Sequence, residues 1–409
     1  MPAPTALTTA LAAARANTDA LFGVVRPGSL YERPIAERHR IVFYIGHLEA
    51  FDWNLLREPL GLEAFHPSLD KLFAFGIDPP VGQTPQDQPS DWPLIGETRA
   101  YNQRVRERLD AELDRAPAQL LHVAIEHRLM HAETFAYMLH NLPPGAKTAP
   151  PAALAPSPAA PGAETAPPAA RIIEIPAGTA TLGRRSGNGF GWDNEFHECA
   201  VPTPAFAISK YKVTNGEYLS FVRSGAAPPH FWIQRKGAWY HRGMFGEAPL
   251  LLDAPVWVTG REAEAYARWV GKSLPTEAQF HRAAYATPEG GERPFPWGDE
   301  PPGPGRGNFD FASWDPAPVT STPGGDSAFG VSQMIGNGWE WTSTPFAPFP
   351  GFEPFPFYPG YSANFFDGAH YVIKGGSPRT ASALLRRSFR NWFRPDYPYV
   401  YAGFRLVEN

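Results

Sequence analysis

The sequence predicts a two-part chain, an all-α bundle followed by an α+β domain rich in loops. Three observations lead there. The chain has 409 residues, more than one hydrophobic core usually organises. Residues 143–170, PPGAKTAPPAALAPSPAAPGAETAPPAA, are almost wholly Ala, Pro, Gly and small polar residues. Such a stretch cannot bury a core and reads as a semi-extended linker. The texture also changes across it, from helical periodicity to short strand-like runs between Gly, Pro and Asn turns. Domains are therefore expected at 1–142 and 171–409, joined by 143–170.

In the first part, helical periodicity covers about 3–22, 34–57, 97–115 and 117–141, with Pro34 and Pro117 near helix starts. Four such segments predict a four-helix bundle. The connection from about 60 to 96 is long and Pro-rich, the kind of loop that often carries function. In the second part RIIEIPAG, AFAISKYKV and HYVIKGG read as strands, and one clear helix is expected at about 260–271.

The formal charge of −5 argues against a nucleic-acid or anionic-membrane partner. No apolar run approaches the ~18 residues of a membrane span. The first residues lack the basic start and apolar block of a secretory signal. Cys199 is the sole cysteine, which excludes an intrachain disulfide and points to a reducing cytoplasm.

The stretch IEHRLMHAETF, 125–135, places His127 and His131 four apart on one helix face, a common way to give two nitrogen ligands to one ion. Two polar residues on a solvated face would read the same. His47 tips the balance, since it lies in the apolar segment RIVFYIGHLEAFDWNLL, where an imidazole needs a partner. Three histidines from two helices facing a bundle interior are a standard metal site. Zinc is one candidate. The H-E-x-x-H peptidase arrangement needs Glu after the first His, and here Arg128 stands there. Fe(II) with open positions fits imidazole ligands equally well. His122 and His140 are expected at the surface, and Glu133 in a structural role.

A histidine in the second helix followed by H-x-x-x-H-x-E resembles the DinB-like domain of the nonheme-iron sulfoxide synthases of ergothioneine biosynthesis. In the second part, FGWDNEF (190–196), YKVTNGEY (211–218), LPTEAQFHRAAY (274–285), GNGWEWT (336–342), KGGS (374–377) and AGFRL (402–406) resemble the formylglycine-generating-enzyme-like scaffold, a modified C-type-lectin fold. Asn337, Trp339, Glu340 and Trp341 would stabilise that fold whatever its chemistry. A formylglycine-generating enzyme itself is disfavoured, because that family works through a cysteine pair.

The resemblance implies that His47, His127 and His131 bind Fe(II), and that the reaction joins C2 of hercynine (trimethylhistidine) to a chalcogen donor using O2. It implies a proton or hydrogen bond from Tyr358 or Tyr361, in FYPGYSANFF, and hercynine contacts from Asn391 and Trp392. Plain aromatic packing is the alternative for each. Two positions depart from the γ-glutamylcysteine-using branch: Met130 stands for its Gln, and Phe393 for its Asp. ERHRIVFYIGHLEAFDWNLL and FRNWFRPDYPYVYAGFRL look most like the selenoneine synthase branch, whose donor is a selenosugar. Phe393, Tyr397, Tyr399 and Trp92 would suit a sugar face. The alternatives are an ergothioneine synthase taking a thiol donor, cysteine or γ-glutamylcysteine, and a noncatalytic metal- or thiol-binding module.

Overall fold

The computed structural model describes residues 4–74, 83–148 and 168–408. The chain divides into two units, Met1–Pro151 and Ala152–Asn409. Most of the Ala/Pro-rich stretch, residues 149–167, lies outside the described residues.

The first unit is helical: α1 (Pro4–Gly23), α2 (Ile41–Leu56), the short α3 (Pro67–Leu72), α4 (Ile95–Asp110) and α5 (Ala118–His140). α1 packs on α5, and α2 packs on both α4 and α5. Every residue of α2 from Ile41 to Ala50 is buried, as expected of a helix apolar on all sides. The expected helix from residue 34 begins only at Ile41. Before it, Arg40 is extended, and Arg33 and Arg40 both grip the Asp87 carboxylate at 2.6 and 3.0 Å. Polar side chains there hold the long connection instead of extending the helix. That connection is ordered in part by Asp70 of α3, which accepts hydrogen bonds from Trp53 Nε1 at 3.2 Å and Tyr101 Oη at 2.7 Å.

Among its described residues the second unit mixes short strands with three α-helices. Its elements are β1 (Ile172–Ile175), β2 (Gly178–Leu182), β3 (Cys199–Thr203), β4 (Phe206–Ser209), α6 (Asn215–Arg223), β5 (Trp232–Arg235), β6 (Ala238–Arg242), β7 (Glu247–Pro249), α7 (Gly260–Trp269), α8 (Glu277–Tyr285), β8 (Trp339–Pro345), β9 (Tyr371–Lys374), β10 (Asn391–Phe393), β11 (Ala402–Gly403) and β12 (Val407–Glu408). The sheets run β1-β4-β12, β10-β9-β8-β11, β2-β3 and β5-β6-β7. All pairs are antiparallel except β11 with β8. α6 and α8 add to the one helix expected. Each of the three starts with a threonine cap and an acid or amide three residues on: Thr214/Glu217, Thr259/Glu262 and Thr276/Gln279. The core of this unit gathers Ile175, Phe206, Ile208, Phe280, Met334 and Val407.

Glu340 of β8 is fully buried and is neutralised by Lys212 Nζ at 2.6 Å and by Arg405 at 2.6 and 2.8 Å. The Asn337 side chain hydrogen-bonds Ala317, Gln333 and Asn308, and Trp341 Nε1 donates to the Val258 carbonyl at 2.9 Å. The GNGWEWT motif is therefore a set of internal ties. An α-helical N-terminal domain precedes a sheet-rich α+β domain, the fold class the sequence predicts. Among the described residues no helix is long and apolar enough to cross a membrane.

Candidate metal centre

His47 projects from α2, and His127 and His131 from successive turns of α5. One nitrogen from each lies within 4.8 Å of the other two. The Nε2 atoms of His127 and His131 are 3.1 Å apart. Two nitrogens bound at about 2.1 Å and at right angles about one ion would stand ~3 Å apart, so this pair already has a ligating separation. His47 Nδ1 lies 2.7 Å from the Phe73 carbonyl oxygen, which fixes the proton on Nδ1 and leaves the Nε2 lone pair for another partner. That Nε2 is buried and has no hydrogen-bond partner among the described residues. A buried, unsatisfied ring nitrogen beside two further imidazoles fits a bound cation.

The surroundings hold the rings in place and neutral. Phe43, His47 and Phe51 are spaced by four along α2. Phe43 stacks on His47 with centroids 4.9 Å apart, and Phe51 on His127 at 3.5 Å. Burial lowers the His47 pKa to about 4 despite its hydrogen bond to Phe73. Burial, then the neighbouring imidazoles and cationic groups, hold His127 and His131 well below the usual histidine range. All three are in the unprotonated, ligating form at neutral pH. The site sits inside the bundle, and the surface reading of the pair does not apply. His140, expected at the surface, is also buried, because α5 is enclosed up to its last turn, and His122 is half-buried.

Two parts of this site are absent from the sequence reading. Gly46 gives Phe73 room to pack on α2: a Cβ there would lie 2.5 Å from the Phe73 ring. A glycine directly before a histidine in an otherwise bulky helix is the one local signal for it. The second is a buried charged layer around Arg128, which meets Glu49 at 3.1 Å and Asp52 at 2.6 Å on α2.

Met130 is half-buried on α5, directly before His131. Trp92 donates Nε1–H to Asp87 at 2.7 Å and lies against Phe43 and Phe73. The remaining expected residues belong to the second unit, where the structure gathers most of them. Tyr361 is buried and stacks on Trp192 at 3.9 Å; Tyr358 lies 5.6 Å from Tyr361 and is half-buried. Trp392 meets Tyr361 edge-on at 5.5 Å, while a face of its ring stacks on Phe346 at 4.2 Å. Asn391 Oδ1 accepts the Trp392 N–H at 2.9 Å. Ser362 donates to Asp193 at 2.5 Å and so ties the tyrosine segment to the FGWDNEF loop. Phe393 follows Trp392 on β10 and points to the opposite side, where it stacks with Tyr397 at 5.3 Å, next to Tyr399. Tyr361 and Trp392 thus form one aromatic group, and Phe393, Tyr397 and Tyr399 another.

Comparison with known proteins places both units. Residues 157–409 match the sulfatase-modifying factor enzyme 1-like domain, and residues 10–142 match the DinB superfamily. A hercynine oxygenase of Mycobacterium tuberculosis is 40% identical over 53% of this chain and 55% of its own length. Ergothioneine biosynthesis protein 1 of Neurospora crassa is 28% identical over 93% of this chain and 55% of its own length. The chain therefore spans about half the length of these two curated relatives. A formylglycine-generating enzyme of Streptomyces coelicolor is 31% identical over 64% of this chain and 96% of its own length.

Proposed function

The chain belongs to the sulfatase-modifying factor enzyme 1-like family, and from that premise we propose that it joins C2 of hercynine to a selenosugar in an iron(II)- and O2-dependent reaction. The observation that carries this reading is the convergence of the buried His47, His127 and His131 inside a DinB-type bundle. These residues would hold the iron. When bound, iron(II) supplies open coordination positions and the electrons that activate O2. In the balanced reaction the hercynine C2–H and donor Se–H bonds break and O2 accepts four electrons. One oxygen goes to selenium, giving the selenoxide, and the other leaves as water.

The chain's own residues have defined parts in this reading. The Phe73 carbonyl keeps His47 in the tautomer that presents Nε2. Asn391 and Trp392 contact hercynine, with the trimethylammonium group drawn to aromatic faces because it has no N–H to donate. Tyr358 or Tyr361 holds the transferable proton. Phe393, Tyr397 and Tyr399 give a sugar ring apolar surfaces to stack on. Met130 and Phe393 bring neither the amide nor the carboxylate that would recognise γ-glutamylcysteine.

Anaerobic reconstitution with Fe(II), followed by O2, hercynine and a panel of chalcogen donors, tests the reading by mass spectrometry. A seleno-linked hercynine product is expected. The name of the Neurospora relative, ergothioneine biosynthesis protein 1, suggests a second reading, a sulfoxide synthase taking cysteine or γ-glutamylcysteine, and a thiol-derived product alone would establish it. Neither product nor O2 consumption would leave a noncatalytic binding module.

A further inference from the structure

The buried charged layer lies directly beside the histidines in sequence and in space. Arg128 follows His127 on α5, and Leu48 follows His47 on α2. Arg128 Nη2 donates to the Leu48 carbonyl at 3.0 Å and to Asp52 Oδ2 at 2.6 Å, and Nη1 donates to Glu49 Oε1 at 3.1 Å. One guanidinium next to a ligand on one helix therefore grips the backbone next to a ligand on the other. The layer continues outward. Glu49 also accepts from Arg106 of α4 at 2.6 Å, Arg106 reaches Asp19 of α1 at 2.8 Å, and Arg15 of α1 reaches Asp110 of α4 at 2.5 Å. All four long helices of the bundle contribute.

Stability alone is a poor reason for such a layer. The side chains of Arg128, Glu49 and Asp52 are at most 1% exposed. Glu49 Oε2 and Asp52 Oδ1 are buried without a hydrogen-bond partner among the described residues. Well-packed apolar side chains in place of a buried ion cluster are often neutral or stabilising. A forked donor with three fixed acceptors does something that apolar packing does less well: it defines one rotation and one axial offset between two helices. A slip of one residue moves a helix by about 1.5 Å, while a functional constellation tolerates about 0.5 Å.

We propose that Arg128 is a positioning residue, setting α2 against α5 so that His47, His127 and His131 converge on one divalent transition-metal ion. The inference rests on the metal reading above. Its test uses full-length, metal-free protein titrated with Co(II), whose visible absorption reports ligand geometry without turnover. Two variants are compared with the unmodified chain: Arg128→Lys, which keeps the charge but loses the fork, and the neutral combination Glu49→Gln, Asp52→Asn, Arg128→Met. Co(II) affinity is expected to fall roughly 10–100-fold in both, with altered absorption bands. Helical circular dichroism should be retained, and Arg128→Lys keeps the test decisive if the triple variant does not fold. Unchanged Co(II) affinity and spectrum in Arg128→Lys, or in a folded triple variant, would overturn the positioning role. Failure of the unmodified protein to bind Co(II) would instead overturn the metal reading, and the inference with it.

Discussion

Gly46→Ala separates two opposed effects at one atom. In a helix interior alanine is favoured over glycine by about 0.8–1 kcal/mol. At position 46 the added methyl would sit 2.5 Å from three atoms of the Phe73 ring, which is itself fully buried. Overpacking of a filled core costs about 1–3 kcal/mol, so the net expectation is a loss of about 1 kcal/mol. In a unit of this size that lowers Tm by roughly 2–4 °C. Gly96 of α4 supplies the control, because nothing lies within 4 Å of its added methyl. Gly96→Ala should stabilise by about 0.4–1 kcal/mol. Calorimetric melting of the two metal-free variants beside the parent makes the comparison. Displacement of Phe73 should also disturb its carbonyl bond to His47 and weaken metal binding about tenfold or more. Equal stabilisation by the two alanines, with metal affinity intact, would refute the packing argument.

Other perturbations address the remaining claims. Changing His47, His127 or His131 to Ala should remove bound iron, measured by metal analysis, while circular dichroism shows a retained fold. Trp392→Ala should weaken hercynine binding by about 0.5–2 kcal/mol in calorimetry, and Phe at the proton-donating tyrosine should lower product formation by ~10²–10⁴ with binding spared. Phe393→Asp should move donor preference toward γ-glutamylcysteine by roughly tenfold to a hundredfold in competition assays, the worth of a charge-assisted hydrogen bond. Glu292 tests pH dependence. Burial alone would raise its pKa, but the His281 imidazole 3.2 Å away, the hydrogen bond from the Thr181 N–H and the Arg387 charge lower it to about 2. Its folded value is thus below its unfolded one. The stabilisation is complete above about pH 4.5 and is lost as pH falls toward 2. Glu292→Gln should flatten that limb of the acid-unfolding curve.

The legible parts of this molecule are those with short-range periodic signals. The i, i+4 spacing of His127 and His131 and the apolar setting of His47 single out the three histidines that the structure brings together. The strands around Ile173, Ile208 and Ile373 appear in the expected runs. What escaped depends on partners far away in sequence. The Gly46 notch needs Phe73, Arg128 needs Glu49 and Asp52 some 76–79 residues earlier, and the late start of α2 depends on Asp87. α6 and α8 are a different case, since their signals are local. Thr214–Glu217 and Thr276–Gln279 are capping boxes, but the helices are only nine residues long and give little periodicity between loops.

The hydrogen bond that orients His47 ends on the main chain of Phe73, not on a side chain. Every residue type carries that carbonyl, so no point substitution at 73 deletes the acceptor itself. The contact can be lost only if the backbone takes another path, by insertion or deletion between α2 and α3 or by an ill-fitting side chain at 46 or 73. Drift in side-chain identity at 73 would then be tolerated so long as the ring-sized space is filled, while loop length would be held nearly constant. Among related chains, the expected record is a changing choice of large apolar side chain at 73 with an invariant count of residues between it and His47.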